Sequence, residues 1–277
     1  MKNIKIKSAL LSVVALSGLS TATASYAFVI DNFNVGNTGA AFAVGNDAPP
    51  DNNVITRTGT STSANIIGTA RDLQILAQNP GLGTTSGSVT TANSSTPAGT
   101  FIASRNQGPE DMVYSIVWDG STNNIPIPSP TPLSVITTGL GSVDFTGSVL
   151  NPNVAIRFDI ISFNDIAAGS TASLTLWSNN GLNQAVNTIS NISTLGVGSD
   201  LFFDFTGFVG TLDIITISAI RFDLTLTQSA GNSSNFGIDV VEVVPIPFEF
   251  NPAIGVGILG LAWGANKLRK AKKASSN

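Results

Sequence analysis

The chain has 277 residues, of which 42% are hydrophobic, 11% charged and 7% aromatic, with a formal charge of −4, no Cys and no His. That length suits one sizeable domain or two small ones, and the charged fraction is far below the roughly 25% of ordinary soluble domains. Without Cys there is no disulfide, thiolate nucleophile, zinc ribbon or lipidated N-terminal cysteine; without His there is no Ser-His-Asp or Cys-His catalysis and no imidazole metal ligand.

Residues 1–27 read as a secretory signal peptide. Lys2, Lys5 and Lys7 form the positive start, residues 9–19 the short apolar stretch, and Ser25-Tyr26-Ala27 a small-x-small cleavage site. Phe28 would then open the mature chain, with Ala22-Thr23-Ala24 as a second possible cut. The alternative is an uncleaved anchor, for which the apolar run falls short of about 20 residues.

From residue 28 to 244 the pattern is all-β. Runs rich in Val, Ile, Thr and Phe predict strands at 28–33, 64–77, 112–118, 154–163, 171–177, 200–205, 212–227 and 236–244, broken by Gly, Asn, Pro and Asp. No stretch of ten residues carries a helical period, and strands and helices do not alternate. The expected architecture is a single β-sandwich, jelly-roll-like, with one buried face per strand. Ile156, Phe158 and Ile160, set against Arg157 and Asp159, show that alternation. Two segments read as surface loops: the Ser/Thr-rich 79–100, which offers hydroxyls for O-glycans, and the proline-rich 125–133.

Two short motifs recur. Asp144-Phe145-Thr146-Gly147 returns as Asp204-Phe205-Thr206-Gly207, and Ala155-Ile156-Arg157-Phe158-Asp159 as Ala219-Ile220-Arg221-Phe222-Asp223. Half-domain duplication and convergent strand chemistry both account for this.

Between residues 28 and 247 there is no lysine. Five arginines (Arg57, Arg71, Arg105, Arg157, Arg221) stand against sixteen acids, a net of −11. Such a domain repels nucleic acid and anionic membrane. Enzyme signatures are missing too. Only Glu110 and Glu242 accompany fourteen aspartates, no carboxylate pair is singled out by spacing, and there is no aspartic-protease turn, Gly-x-Ser-x-Gly elbow, P-loop or dinucleotide fingerprint. The expectation is a protein that is not an enzyme.

Two binding candidates remain. In residues 171–177, Leu174 and Leu176 share one face and Thr171, Ser173, Thr175 and Trp177 the other. A Trp beside hydroxyls can stack on a sugar ring, so Trp177, Thr175 and Ser173 are candidate carbohydrate ligands. Alternatively, Trp177 is a strand-end residue covered by the Asn179-Asn180-Gly181 turn, while Trp118 reads as core with Met112, Tyr114 and Ile116. For calcium, the one candidate cofactor, the oxygen-rich clusters are Asn46-Asp47 with Asp51-Asn52-Asn53, and Asp119 with Asn123-Asn124. Neither matches an EF-hand, and solvated surface acids explain them equally well. No confident metal site follows.

Residues 245–277 form a three-part tail. Pro247-Phe248-Glu249-Phe250 is followed by the apolar, Gly-rich 253–265, with Trp263, and then by Lys267, Arg269, Lys270, Lys272 and Lys273. Thirteen apolar residues make about 20 Å of helix against a hydrocarbon core of about 30 Å, a short transmembrane helix whose basic stop stays in the cytoplasm. This tail resembles the PEP-CTERM class of bacterial sorting signals, in its PFE variant. The resemblance implies recognition by an exosortase-like processing enzyme, a transient or lasting anchor in the inner membrane, and delivery to the cell surface or exopolysaccharide matrix. The usual Pro-Glu-Pro is replaced here by Phe248 and Phe250 around Glu249. Arg71-Asp72-Leu73 and Ile238-Asp239-Val240-Val241-Glu242 are also similar to strands of ectodomains that accompany such tails. The chain therefore reads as an exported surface or matrix protein with a structural or adhesive role. The alternative is a carbohydrate-binding module for exopolysaccharide, and third a glycan-active hydrolase.

Overall fold

Ile156, Phe158 and Ile160 are fully buried and the intervening Arg157 and Asp159 are not, as a strand lying on a core requires. The computed structural model describes residues 28–34, 56–78, 87–91, 99–105, 111–122, 134–146, 154–227 and 233–246. The signal peptide, the proline-rich 125–133, Asp47, Asp51, the Pro247-Phe248-Glu249-Phe250 motif and the basic stop at Lys267, Arg269, Lys270, Lys272 and Lys273 lie outside the described residues.

The strands among the described residues are β1 (Phe28–Asp31), β2 (Thr56–Thr62), β3 (Ala70–Gln78), β4 (Gly87–Thr91), β5 (Phe101–Arg105), β6 (Asp111–Trp118), β7 (Val154–Asn164), β8 (Thr171–Ser178), β9 (Asn183–Ser190), β10 (Asp200–Asp204), β11 (Val209–Gly210), β12 (Ile217–Leu226) and β13 (Ser234–Pro245). They form two antiparallel sheets, one of six strands in the order β10-β7-β13-β5-β4 with β1 also on β13, the other of seven in the order β11-β9-β8-β12-β6-β3-β2. The expected all-β sandwich is present, with no α-helix among the described residues.

The core lies between the sheets. Phe158 and Phe222 meet with ring centroids 4.4 Å apart, and Phe203 packs edge-on at 5.5 and 6.3 Å. Burying each such ring contributes roughly 1.5–3 kcal/mol. Phe158 and Phe222 are the central phenylalanines of the two Ala-Ile-Arg-Phe-Asp copies, so the copies face each other, one from each sheet. The preceding motifs also make matching bonds. Asp144 Oδ1 accepts from the Thr146 amide at 2.7 Å, as Asp204 Oδ1 does from Thr206 at 2.8 Å, and the Phe145 and Phe205 rings touch edge-on at 6.4 Å.

β13 joins the ends of the domain. One side pairs with β7; the other pairs with β5 near its start and with β1 near its end, so Phe28 sits opposite Val243. Between Val29 and Asp31 the register shifts by one residue, and Ile30 and Asp31 both turn into the core. There Asp31 gathers a polar hub. Oδ2 accepts from Arg71 Nη1 at 2.7 Å and from the Trp118 indole at 2.8 Å, and Oδ1 accepts from the Phe33 amide at 2.8 Å. The Arg71 guanidinium lies 4.8 Å over the Phe33 ring. All four side chains are fully buried, which places Trp118 in the core as expected.

Several boundaries differ from the sequence expectation. The stretch expected as a strand from residue 64 becomes one only at Ala70, because Gly68 and Thr69 take positive φ (65° and 68°) in a tight turn. That turn packs so closely that a Cβ on Gly68 would collide with Leu140. The strand expected from 212 starts at Ile217, since Asp213 closes a turn by accepting from the Ile215 and Thr216 amides. The 79–100 segment is not all loop: β4 lies inside it and pairs with β5. β9 also escapes the sequence reading, because polar Gln184, Thr188 and Ser190 line its outer row and Asn183 and Asn187 interrupt its inner row, so no apolar alternation marks it.

Candidate functional site

The outer face of the seven-stranded sheet is where the candidate sugar ligands fall. Inner positions of β8 are Leu174 and Leu176; outer positions are Thr171, Ser173, Thr175 and Trp177, as alternation requires. Trp177 is partly exposed, with exposed Gln184 of β9 on one side and fully buried Ala219 of β12 on the other. Ala219 puts only a methyl beside the indole and is itself covered. The turn after β8 is tied elsewhere: the Asn179 amide bonds to the Thr216 carbonyl at 3.0 Å and Gly181 sits against Thr137.

Two residues along β8, Thr175 lies between Val186 and Arg221; two further, Ser173 lies between Thr188 and Asp223. The Ser173 and Thr188 hydroxyls share a hydrogen bond at 3.0 Å. Arg221 donates from Nε to both Asp223 oxygens, at 2.9 and 2.8 Å, and from Nη2 to Ser115 Oγ at 3.4 Å. Ser115 Oγ in turn donates to Asp223 Oδ1 at 2.5 Å. Arg221 and Asp223 remain 19% and 22% exposed, enough to reach a ligand lying on the sheet. Strand spacing of about 4.8 Å and about 6.8 Å per two residues puts the Trp177 and Arg221 backbones about 8 Å apart, one to two sugar rings.

The structure thus brings Trp177, Thr175 and Ser173 onto one face. Thr175 is only 8% exposed, so its part is to shape the surface rather than to reach far. Arg221, Asp223 and Ser115 were missed as site residues. Their signal was in the sequence: Arg221 and Asp223 alternate with core residues in the repeated motif, but which strand would lie beside β8 was not legible.

Of the candidate calcium ligands only Asp119 is described. It is fully buried, and both its oxygens accept backbone N–H bonds, Oδ1 from Ser121 at 3.1 Å and Oδ2 from Ile136 at 2.7 Å. It closes the loop after β6. Among the described residues no three His, Cys, Asp or Glu side chains converge on a common point.

A groove of 580 Å³ lies between β1 and the 64–69 turn, lined by Phe28, Val29, Asn32, Ile66, Ile67 and Thr69 among others. Among the described residues no titratable side chain lines it. The buried phenol of Tyr114 is pushed far above its usual pKa by burial, against the opposing charge of Arg105, and its hydroxyl donates to the Ser104 carbonyl at 2.5 Å. It is a packed structural group.

No protein-family model and no curated protein matches the chain. Among solved structures, the family 11 carbohydrate-binding module of cellulase Lic26A-Cel5E of Clostridium thermocellum aligns over 81% of this chain and 97% of its own length, at 13% identity and TM-score 0.34. A family 11 carbohydrate-binding module from Clostridium thermocellum in complex with a β-1,3-1,4-mixed-linked tetrasaccharide aligns over 75% of this chain and 98% of its own, at 13% identity and TM-score 0.30. An exo-β-agarase covers 76% of this chain and 26% of its own, at 16% identity and TM-score 0.31.

Proposed function

We propose that this chain is an exported, jelly-roll-like surface protein that holds polysaccharide on the outer face of its seven-stranded sheet, without catalysing a reaction. The observation that carries the reading is the placement of Trp177: a partly exposed indole on the same face as Arg221, whose backbone is about 8 Å away and whose side chain is tied to Asp223 and Ser115 further along the sheet. An indole face covers the apolar side of a pyranose, and a guanidinium–carboxylate pair both donates to and accepts from ring hydroxyls. The test is affinity electrophoresis in extracellular polysaccharide from the producing culture. Trp177→Ala should weaken retention at least about tenfold, or 1.4 kcal/mol, in protein that circular dichroism shows to be folded at the assay temperature. Unchanged retention would remove the reading.

A second reading, a structural or adhesive protein sorted by an exosortase-like enzyme, is favoured by the ends of the domain. Phe28, the expected first residue after signal cleavage, pairs with Val243 next to the start of the tail. That pairing ties the first and last described strands of the domain to each other. The intact mass of the protein recovered from its host tests this. A mass for Phe28 to about Pro247 supports sorting with cleavage, whereas a mass extending through Asn277 refutes cleavage and leaves a lasting anchor.

A further inference from the structure

The six-stranded sheet carries a counterpart of the Trp177 face, and we infer that it is a second polysaccharide-binding face, so that one molecule bridges two polysaccharide chains. The inference rests on the glycan reading of the first face. In each copy of Ala-Ile-Arg-Phe-Asp the Phe enters the core and the Arg points outward, from β7 at Arg157 and from β12 at Arg221. Each outward Arg engages carboxylates: Arg221 holds Asp223, and Arg157 holds Glu242 and, at 3.5 Å, Asp200. Each also has an aromatic at hand, Trp177 partly exposed beside Arg221 and Phe202 beside Arg157. Phe202 of β10 stands directly opposite Arg157 in the register and is 48% exposed, and Val29, 45% exposed, lies across Glu242 in the same row.

A ring left half in water on an edge strand gains little for the fold, and beside it stand groups that hydrogen-bond hydroxyls. Phe202 can cover the apolar side of a sugar ring while Arg157 and Glu242, 32% and 10% exposed at their side chains, bond its rim. Asp200 and Asp159, paired in the next row, add acceptors for hydroxyl donors. The two sheets stack about 10 Å apart, so their outer faces look in opposite directions. An extended sugar chain lying flat on one cannot touch the other. A protein with both faces engaged is therefore a cross-linker.

The test uses the full-length protein and extracellular polysaccharide from the producing culture, with retention in affinity gels and viscosity of the mixture as separate readouts. Trp177→Ala and Phe202→Ala should each leave measurable retention yet abolish the rise in viscosity, and the double variant should lose both. Phe202→Tyr, which keeps the ring, should restore the viscosity. If Trp177→Ala alone abolishes retention and Phe202→Ala changes neither readout, the second face is refuted while the first stands. Viscosity that persists in Phe202→Ala would assign cross-linking to self-association and also refutes it. If the wild-type protein is not retained, the glycan reading itself fails, and this inference with it.

Discussion

Asp31 is the sharpest point at which to perturb the fold. Its carboxylate is fully buried, holds the buried Arg71 guanidinium at 2.7 Å and accepts the Trp118 indole N–H at 2.8 Å. Asp31→Ala leaves a buried cation without its carboxylate and an indole without its acceptor. Breaking a buried pair from one side costs about 3–5 kcal/mol, and an unsatisfied buried donor about 1–3 more, though the two are not additive. Against a total stability of about 5–15 kcal/mol this is severe. At about 2–4 °C per kcal/mol it lowers the melting temperature by roughly 6–20 °C. Urea unfolding followed by tryptophan fluorescence measures the loss, with Trp118 as a reporter inside the hub. The double variant Asp31→Leu/Arg71→Met removes both charges and should recover much of it, since replacing a whole buried pair by apolar groups is often neutral or better. A loss below about 1 kcal/mol in Asp31→Ala, or a double variant no better than the single, would show that the pair does not hold β1 to the opposite sheet.

Other perturbations separate core, turn and surface. Phe222→Ala removes a ring packed on Phe158 and Phe203 and should cost about 3–5 kcal/mol by chemical denaturation. Gly139→Ala should destabilise through backbone collision, because a Cβ there would overlap the Asp119 carbonyl oxygen, and a lowered melting temperature is the readout. Asp239 has its pKa raised by burial and then by the charge of Asp159. Its folded form binds the proton more tightly than the unfolded chain, so it costs stability as pH rises from the ordinary carboxylate range through the raised value. Asp239→Asn should therefore raise the melting temperature at neutral pH and lessen its fall between acidic and neutral pH. An equal slope in both proteins would refute that assignment.

The strands that bury a face were legible because their chemistry is local. Ile156-Arg157-Phe158-Asp159-Ile160 can satisfy a core only as a strand, and the structure keeps that alternation. Strands whose partners supply the reason were not legible. β9 has a polar outer row and is a strand because β8 pairs along its whole length. β4 hides in a Ser/Thr-rich stretch and exists through β5. Trp177, Thr175 and Ser173 were placed on one face by period alone. Arg221, Asp223 and Ser115 join them only because β12 pairs with β8 on one side and β6 on the other.

The sequence by itself determined the all-β character and the sided strands, because those follow from the period of side chains along one segment. It also placed Trp177 on a polar face and Trp118 in the core. Only the tertiary structure decided that Asp31 would turn inward to meet Arg71 and Trp118. That depends on a one-residue register shift against β13, more than 200 residues away in the chain. Only the tertiary structure, too, set Phe158 against Phe222 and sent the two arginines of the repeated motif to opposite outer faces. Strand pairing and sheet stacking are contacts between distant segments, and no local pattern encodes which segments will meet.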